Sequence, residues 1–266
     1  MASRTSKPLG VITRGTTHPN RLRRVDRWIS YVTAADLRAT SDPLVVDLGY
    51  GASAWTAREL RDCLRAVRSD VRLVGIEIDP ERVAAAQSAA DESLTFIRGG
   101  FEVPIPSDPI VIRAFNVLRQ YDESEVKAAW TTMTSRLAPD GWLVEGTCDE
   151  LGRHAWWVAL RAGEREPRTL TFSTRLAGFD RPSELAERLP KALIHRNVPG
   201  EPIYDFLKKL DSAWAAAAPY SAFSARQRWI AMAQSLRAEG FPVLHGPSRW
   251  KLGELTVPWA YVAPSS

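Results

Sequence analysis

The chain has 266 residues, of which 45% are hydrophobic and 25% charged, and these proportions exclude a disordered, collagen-like or coiled-coil protein. The length is that of one large domain, or of one domain with a sizeable insertion. The formal net charge is +4; residues 1–30, with seven bases and one acid, carry +6, so the basic character belongs to the N-terminal arm.

Neither a metal site nor a membrane anchor is predicted. Cys63 and Cys148 cannot form a disulfide framework, and the four histidines stand apart, so no zinc site is expected. The longest stretch without a charged residue, 212–225, is too short to span a bilayer. The N-terminus lacks the apolar run of a secretory signal. We therefore expect a cytoplasmic protein in a reducing compartment.

The N-terminal arm, residues 1–42, is predicted to contain an amphipathic helix with Asn20 as its N-cap. The arginines of this segment occupy the remaining helix face. This face could be a solvated surface or could contact an anionic partner, and the sequence leaves both interpretations open. The apolar residues that recur at helical spacing are Leu22, Val25, Ile29 and Val32.

Between residues 43 and 147, short apolar runs alternate with helical patterns, which predicts a parallel sheet covered on both faces. One of the intervening helices begins with Asp79 as N-cap and Pro80 at its first position. The predicted strands are Leu44–Leu48, Leu73–Ile78, Thr95–Arg98, Ile110–Phe115 and Trp142–Gly146.

After the fifth strand the alternation stops, and residues 148–222 are predicted to form an inserted cap. The cap contains two candidate strands of a small hairpin, His154–Leu160 and Thr169–Thr174. Residues 223–266 then return to the sheet with a helix and two terminal strand candidates, Pro242–His245 and Leu255–Val262.

These elements predict an α/β fold with a doubly wound, mostly parallel, seven-stranded Rossmann-like sheet. Residues 43–147 and 223–266 would build the sheet, with the helical arm before it and the cap between strand five and the following helix.

The loop after the first strand is the first candidate binding element, because ligands of such sheets bind beyond the carboxyl ends of the strands. Gly49, Gly51 and Ala54 satisfy the dinucleotide pattern G-x-G-x-x-G/A by spacing alone. Asp47, at the end of the strand, would repel a pyrophosphate and attract an ammonium or sulfonium group. Glu77 ends the second strand, where its two oxygens can accept both ribose hydroxyls. A nucleoside that carries positive charge fits both acids.

These segments resemble the class I, Rossmann-like S-adenosylmethionine (SAM)-dependent methyltransferases. Residues 45–51 are similar to the first motif of that family and residues 75–79 to its second. Residues 137–143 and 239–241 are similar to its turns into the fifth and sixth strands. The resemblance covers residues 43–146 and 224–262.

The resemblance implies SAM as cofactor. It places the methionine part at Asp47, Gly49 and Gly51 and the ribose at Glu77. Many family members contact adenine with an acid after the third strand; here residues 98–102 read Arg-Gly-Gly-Phe-Glu, so Phe101 packing or a main-chain contact is expected in its place. The candidate cofactor-binding residues are Asp47, Gly49, Tyr50, Gly51, Glu77, Ile78, Gly100, Phe101 and Asn116.

The function implied is methyl transfer from SAM to a small or medium-sized acceptor, on oxygen or nitrogen. Asp149, Glu150 and His154 follow the fifth strand and are candidate bases for a hydroxyl acceptor. Three alternatives stay open: a nucleic-acid methyltransferase supported only by the basic arm, a non-catalytic SAM-binding module, and a nicotinamide-dependent oxidoreductase, which Asp47 disfavours. The sequence does not predict the oligomeric state.

Overall fold

A computed structural model describes residues 7–265; Arg4 of the basic arm lies outside this range. Within it, one sheet contains eight strands in the order β3-β2-β1-β4-β5-β6-β7-β8, one strand more than the seven expected. Strands β1 to β5 pair in parallel and β6 to β8 join antiparallel. The strands are β1 Leu44–Leu48, β2 Arg72–Glu77, β3 Leu94–Arg98, β4 Val111–Phe115, β5 Trp142–Cys148, β6 His154–Arg161, β7 Thr169–Thr174 and β8 Glu254–Pro258.

Helices cover both faces of the sheet, which confirms the doubly wound, Rossmann-like prediction. One face packs Val45 against Trp28 and Leu60, and the other packs Val46 into a core that also contains Trp130 and Trp229. No helix in residues 7–265 combines the length and apolarity that a bilayer span requires. The helices are α1 Arg23–Val32, α2 Ala34–Ala39, α3 Trp55–Arg65, α4 Pro80–Ala86, α5 Glu123–Thr134, α6 Lys191–Ile194, α7 Pro202–Ala216, α8 Ala225–Ala238 and α9 Pro247–Trp250.

The hairpin expected in the cap belongs to the main sheet. Strand β6 pairs with β5 from Cys148↔Ala155 to Trp142↔Arg161. Its side chains are apolar on both faces: Trp156 stacks on Phe172 in one core, while Trp157 contacts Trp28 in the other. A strand that is apolar on both faces needs cover on both, which an isolated hairpin cannot provide. The division of the chain into domains at residues 147 and 222 stays a prediction.

Two local expectations are wrong. Leu22, not Asn20, occupies the N-cap of α1; Asn20 adopts φ 63° and its main-chain N–H donates to Glu59 Oε1 at 2.7 Å. Of the candidate strand Pro242–His245, only Leu244 forms a bridge, to Thr256. Both segments are short and polar or proline-containing, so long-range contacts decide their conformation.

Glu145 on β5 is a carboxyl group buried without a cation. Its Oε2 accepts a hydrogen bond from Trp130 Nε1 at 3.3 Å, and its Oε1 has no partner within residues 7–265. Burial raises the pKa of this carboxyl group to about 8. The side chain is therefore protonated in the folded protein at neutral pH.

Glu145→Gln should remove part of the pH dependence of stability. Below the ordinary pKa of 4.5 the carboxyl group is protonated in the folded and in the unfolded protein. Between pH 4.5 and about pH 8 it loses its proton only in the unfolded chain. The free energy of unfolding should therefore fall by up to about 1.4 kcal/mol per pH unit in this window, and Gln should flatten the slope. Urea unfolding from pH 4 to 8 measures this, with exposed Glu92→Gln as control; equal slopes in the parent and in Glu145→Gln would contradict it.

Candidate functional site

Two adjoining cavities lie at the carboxyl ends of the parallel strands and share Thr13 and Gly49 in their walls. The larger cavity has a volume of about 400 Å³ and the smaller cavity about 20 Å³. The structure brings all the sequence-predicted cofactor residues to these walls. Asp47, Gly49, Tyr50, Gly51 and Asn116 line the larger cavity, and Gly49, Glu77, Ile78, Gly100 and Phe101 line the smaller one.

Asp47 is held by a buried arginine. Arg113 lies opposite Asp47 in the β1–β4 register and donates from Nε to Oδ1 at 2.9 Å and from Nη2 to Oδ2 at 2.6 Å. Thr56 Oγ1 also donates to Oδ2, at 3.2 Å. Both carboxylate oxygens are engaged, so Asp47 is not the free anion that the sequence suggested for a cofactor cation.

Asp26 of α1 completes this network. Arg113 Nη1 donates to Asp26 Oδ1, and Arg113 Nη2 donates to the Thr56 carbonyl at 2.9 Å. Arg113 is 0% exposed and Asp26 2%; burial raises the pKa of Asp26 to about 7, against the opposing effect of Arg113. A single arginine in the middle of the apolar run Val111–Phe115 was the sequence signal for this network, and the sequence analysis missed it.

Glu77 is occupied by main-chain donors. Its Oε2 accepts from Gly51 N at 3.0 Å, and its Oε1 accepts from Ile78 N at 3.0 Å and Asp79 N at 3.3 Å. The residue is 1% exposed. Glu77 thus fixes the glycine loop against β2, and its role toward a ribose stays a proposal.

Asn116 and Tyr50 each contact a residue of another strand. Asn116, at φ 58°, accepts from Cys148 N at 3.0 Å through Oδ1, and its Nδ2 lies 3.2 Å from Cys148 Sγ. It therefore ties the end of β4 to the end of β5. Tyr50 packs edge-on against Phe96, with ring centroids 5.1 Å apart.

The N-terminal segment, residues 9–15, lies across the glycine loops. A Cβ at Gly100 would overlap the Leu9 carbonyl oxygen, and a Cβ at Gly51 would lie 2.8 Å from the Gly15 carbonyl oxygen. Ala52 N donates to that Gly15 oxygen at 2.9 Å. The sequence analysis expected a ligand to approach the main chain of these glycines closely. In this structure residues 9–15 occupy that position.

The peptide groups of Leu9 make a paired contact with the loop after β3. Leu9 N donates to Glu102 Oε2 at 2.8 Å, and the Leu9 carbonyl accepts from Phe101 N at 3.0 Å. Glu102 Oε1 also accepts from Gly100 N, at 2.9 Å. Glu102 was not among the candidate residues, although it ends the stretch where an adenine-binding acid was sought.

The N-terminal segment binds through its main chain. Val11 N donates to Tyr121 Oη at 2.6 Å, and Arg82 Nη2 donates to the Thr13 carbonyl at 2.8 Å. The side chains of Leu9, Val11 and Ile12 stay 52%, 52% and 55% exposed. The segment is therefore held by hydrogen bonds of its main chain, among them those with the charged groups of Glu102 and Arg82, rather than by burial of its apolar side chains.

The candidate bases do not share one location. Asp149 Oδ1 accepts from Arg153 N at 2.7 Å, and His154 Nδ1 bonds Thr174 Oγ1 at 2.8 Å; neither residue lines the larger cavity. Burial lowers the pKa of His154. Glu150 does line the cavity, but its side chain is 73% exposed and lies 3.5 Å from Arg188. A catalytic role for Asp149 or His154 stays a prediction without support from this geometry.

Comparison with known proteins gives structural neighbours only. No family model and no curated protein matches the chain. A plantazolicin methyltransferase in complex with a triazolic desmethylPZN analogue and S-adenosylhomocysteine (SAH) is 14% identical over 49% of this chain and 46% of its own, with a TM-score of 0.38. Human N-acetylserotonin methyltransferase in complex with SAM is 21% identical over 48% of this chain and 37% of its own, with a TM-score of 0.32.

Mitomycin 7-O-methyltransferase is 17% identical over 48% of this chain and 36% of its own, with a TM-score of 0.36. The chain thus spans less than half of the length of each of these three neighbours. All three are described as methyltransferases.

Arg113→Met should strongly destabilise the fold. Two buried carboxylates would lose their cation, and breaking such a pair costs about 3 to 5 kcal/mol. Urea unfolding at pH 7 measures the loss, with Arg72→Met, which breaks an exposed pair with Asp42, as a control that should cost under about 1 kcal/mol. Adding Asp26→Asn and Asp47→Asn to Arg113→Met should restore part of the stability. A loss as small as that of the control would show that the network is not structural.

Proposed function

We propose that the chain binds SAM across the two cavities and transfers its methyl group to a small or medium-sized acceptor. The observation that carries the proposal is the pair formed by the Glu102 carboxylate and the Phe101 N–H, which Leu9 satisfies with one donor and one acceptor. An adenine edge offers the same pair, a donating amino group beside an accepting ring nitrogen.

The neighbouring residues fit the rest of the cofactor. Glu77 lies between the loop after β3 and the glycine loop, where its carboxylate would accept bonds from the ribose hydroxyls in place of Gly51 N. Gly49 and Gly51, at φ 74° and 86°, would bring their main chain against the methionine part. A dinucleotide is the competing ligand, because the pairing of Asp47 with Arg113 removes the charge argument against a pyrophosphate, and the titration with NAD separates the two ligands.

When bound, SAM supplies an electrophilic methyl group on a sulfonium. The larger cavity, of about 400 Å³, would hold the methionine part of SAM as well as the acceptor, so it suits a small acceptor, which its wall would orient. Among the described residues of that wall there is no histidine; burial raises the pKa values of Cys148 and Tyr50, Arg113 holds Asp47, and Glu150 is 73% exposed and lies 3.5 Å from Arg188. We infer that the chain contributes positioning rather than proton abstraction.

Cofactor binding requires that the N-terminal segment leave its place. Leu9 and an adenine cannot occupy the Glu102–Phe101 pair together, and the Gly15 carbonyl covers Gly51. In this exchange the adenine would replace the Leu9 bonds to Glu102 and Phe101, and little apolar contact would be lost, because the side chains of Leu9, Val11 and Ile12 are exposed.

The proposal is tested with SAH and NAD in titration calorimetry on two chains, the full protein and a chain without residues 1–11. SAH should bind both, about three- to tenfold more tightly to the shortened chain, because the competing Leu9 and Val11 bonds are gone. NAD should bind neither. Labelled SAM with panels of small acceptors and of nucleic acids then separates the two methyltransferase hypotheses. Binding of NAD without binding of SAH would overturn the proposal, and SAH binding without turnover would identify a non-catalytic module.

Glu102→Gln should weaken SAH binding about ten- to hundredfold in the chain without residues 1–11, because a hydrogen bond to a charged group contributes about 1.5 to 3 kcal/mol. The shortened background matters, since in the full chain the same change also loosens Leu9, the competitor. Exposed Glu92→Gln is the matched control, and circular dichroism checks the fold of each variant. An unchanged dissociation constant would remove Glu102 from adenine recognition.

A further inference from the structure

The larger cavity has an excess of positive charge in its wall. The only acids among the described lining residues are Asp47, which Arg113 holds, and Glu150, which is largely exposed. Four arginines line the same cavity: Arg14, Arg21, Arg119 and Arg188.

Arg21 is a buried guanidinium without a counter-ion. The residue is 8% exposed; its Nε donates to the Asp149 carbonyl at 3.0 Å and its Nη1 donates to the Thr16 carbonyl. No carboxylate in residues 7–265 forms an ion pair with it. A charge withdrawn from water without a partner is costly unless a ligand supplies the opposite charge.

Arg119 and Arg188 reinforce this positive field. Arg119 donates to the Glu187 carbonyl at 3.3 Å and has no ion pair within the described residues; burial and then the neighbouring Arg188 lower its pKa. Arg188 pairs with Glu187 at 3.1 Å and with Glu150 at 3.5 Å, but these acids are 70% and 73% exposed, so water screens both pairs.

We propose that the methyl acceptor carries an oxyanion, a carboxylate, phosphate or sulfate group, which Arg21, Arg119 and Arg188 hold in the larger cavity. That the bound molecule is a methyl acceptor rests on the proposed function. The oxyanion site itself rests only on the charge of the cavity wall. Planar guanidinium groups bind such oxygens in bidentate pairs, so they would fix the orientation of the acceptor as well as its position.

One oxyanion is already implied by the proposed cofactor, which has a carboxylate of its own. One carboxylate balances one of the guanidinium groups, so the wall keeps an excess of positive charge. Experiments at saturating SAH therefore separate a second oxyanion from the one that belongs to the cofactor.

The test is titration calorimetry of benzoate, benzamide and inorganic phosphate against the full chain, with and without saturating SAH, at constant ionic strength. Benzoate and phosphate should bind saturably in the presence of SAH, and benzamide at least about tenfold more weakly. At saturating SAH, Arg119→Gln and Arg188→Gln should each weaken the binding of both anions about tenfold or more. Exposed Arg38→Gln, remote from the cavity, should change nothing.

Methyl transfer to a panel of aromatic carboxylates and their matched carboxamides extends the test to the acceptor. The carboxylates should be preferred, and the preference should fall in Arg119→Gln and in Arg188→Gln. Equal binding of benzamide and benzoate, or variants that bind anions like the parent, would overturn the oxyanion site. Failure of SAH to bind would overturn the proposed function alone, because anion binding in the absence of SAH is measured separately.

Discussion

The buried Arg113 is the interaction on which the site depends. It joins α1 through Asp26, β1 through Asp47 and the first turn of α3 through the Thr56 carbonyl. These elements come from three separate parts of the chain, and the Gly49–Gly51 loop lies between two of them. One side chain therefore fixes where the loop stands relative to the sheet, and its removal would leave two uncompensated carboxylates in the core.

The same network sets the charge of the larger cavity. With Asp47 neutralised by Arg113, the negative potential inferred from the sequence is largely cancelled, and the arginines that face the cavity dominate. An isolated strand-end carboxylate would attract a cationic ligand, but Asp47 already has a cationic partner, Arg113, which is 66 residues away in the chain.

Local patterns predicted the parallel half of the fold well. β2 was placed within one residue at each end, because its apolar run and the Asp79–Pro80 helix start are both local signals. The position of each strand within the sheet was harder to predict than the strand itself. β6 was recognised as a strand but assigned to a cap, since periodicity says nothing about which strand becomes its neighbour. Arg113 and Glu102 were missed for a similar reason: each acquires its role only through residues distant in the chain, Asp47 and Leu9.

The N-terminal segment links the two cavities. Thr13 lines both of them, Leu9 bonds Glu102 and Phe101 beside the smaller one, and Arg14 and Thr16 belong to the wall of the larger cavity. If a ligand displaced both Leu9 and the Gly15 carbonyl, as proposed for the cofactor, it would also shift part of the wall of the larger cavity. Binding at the two cavities would then be coupled, and by thermodynamic linkage the effect would be reciprocal. The sequence alone left the basic arm between a solvated tail and an anion contact; in this structure its residues line both cavities.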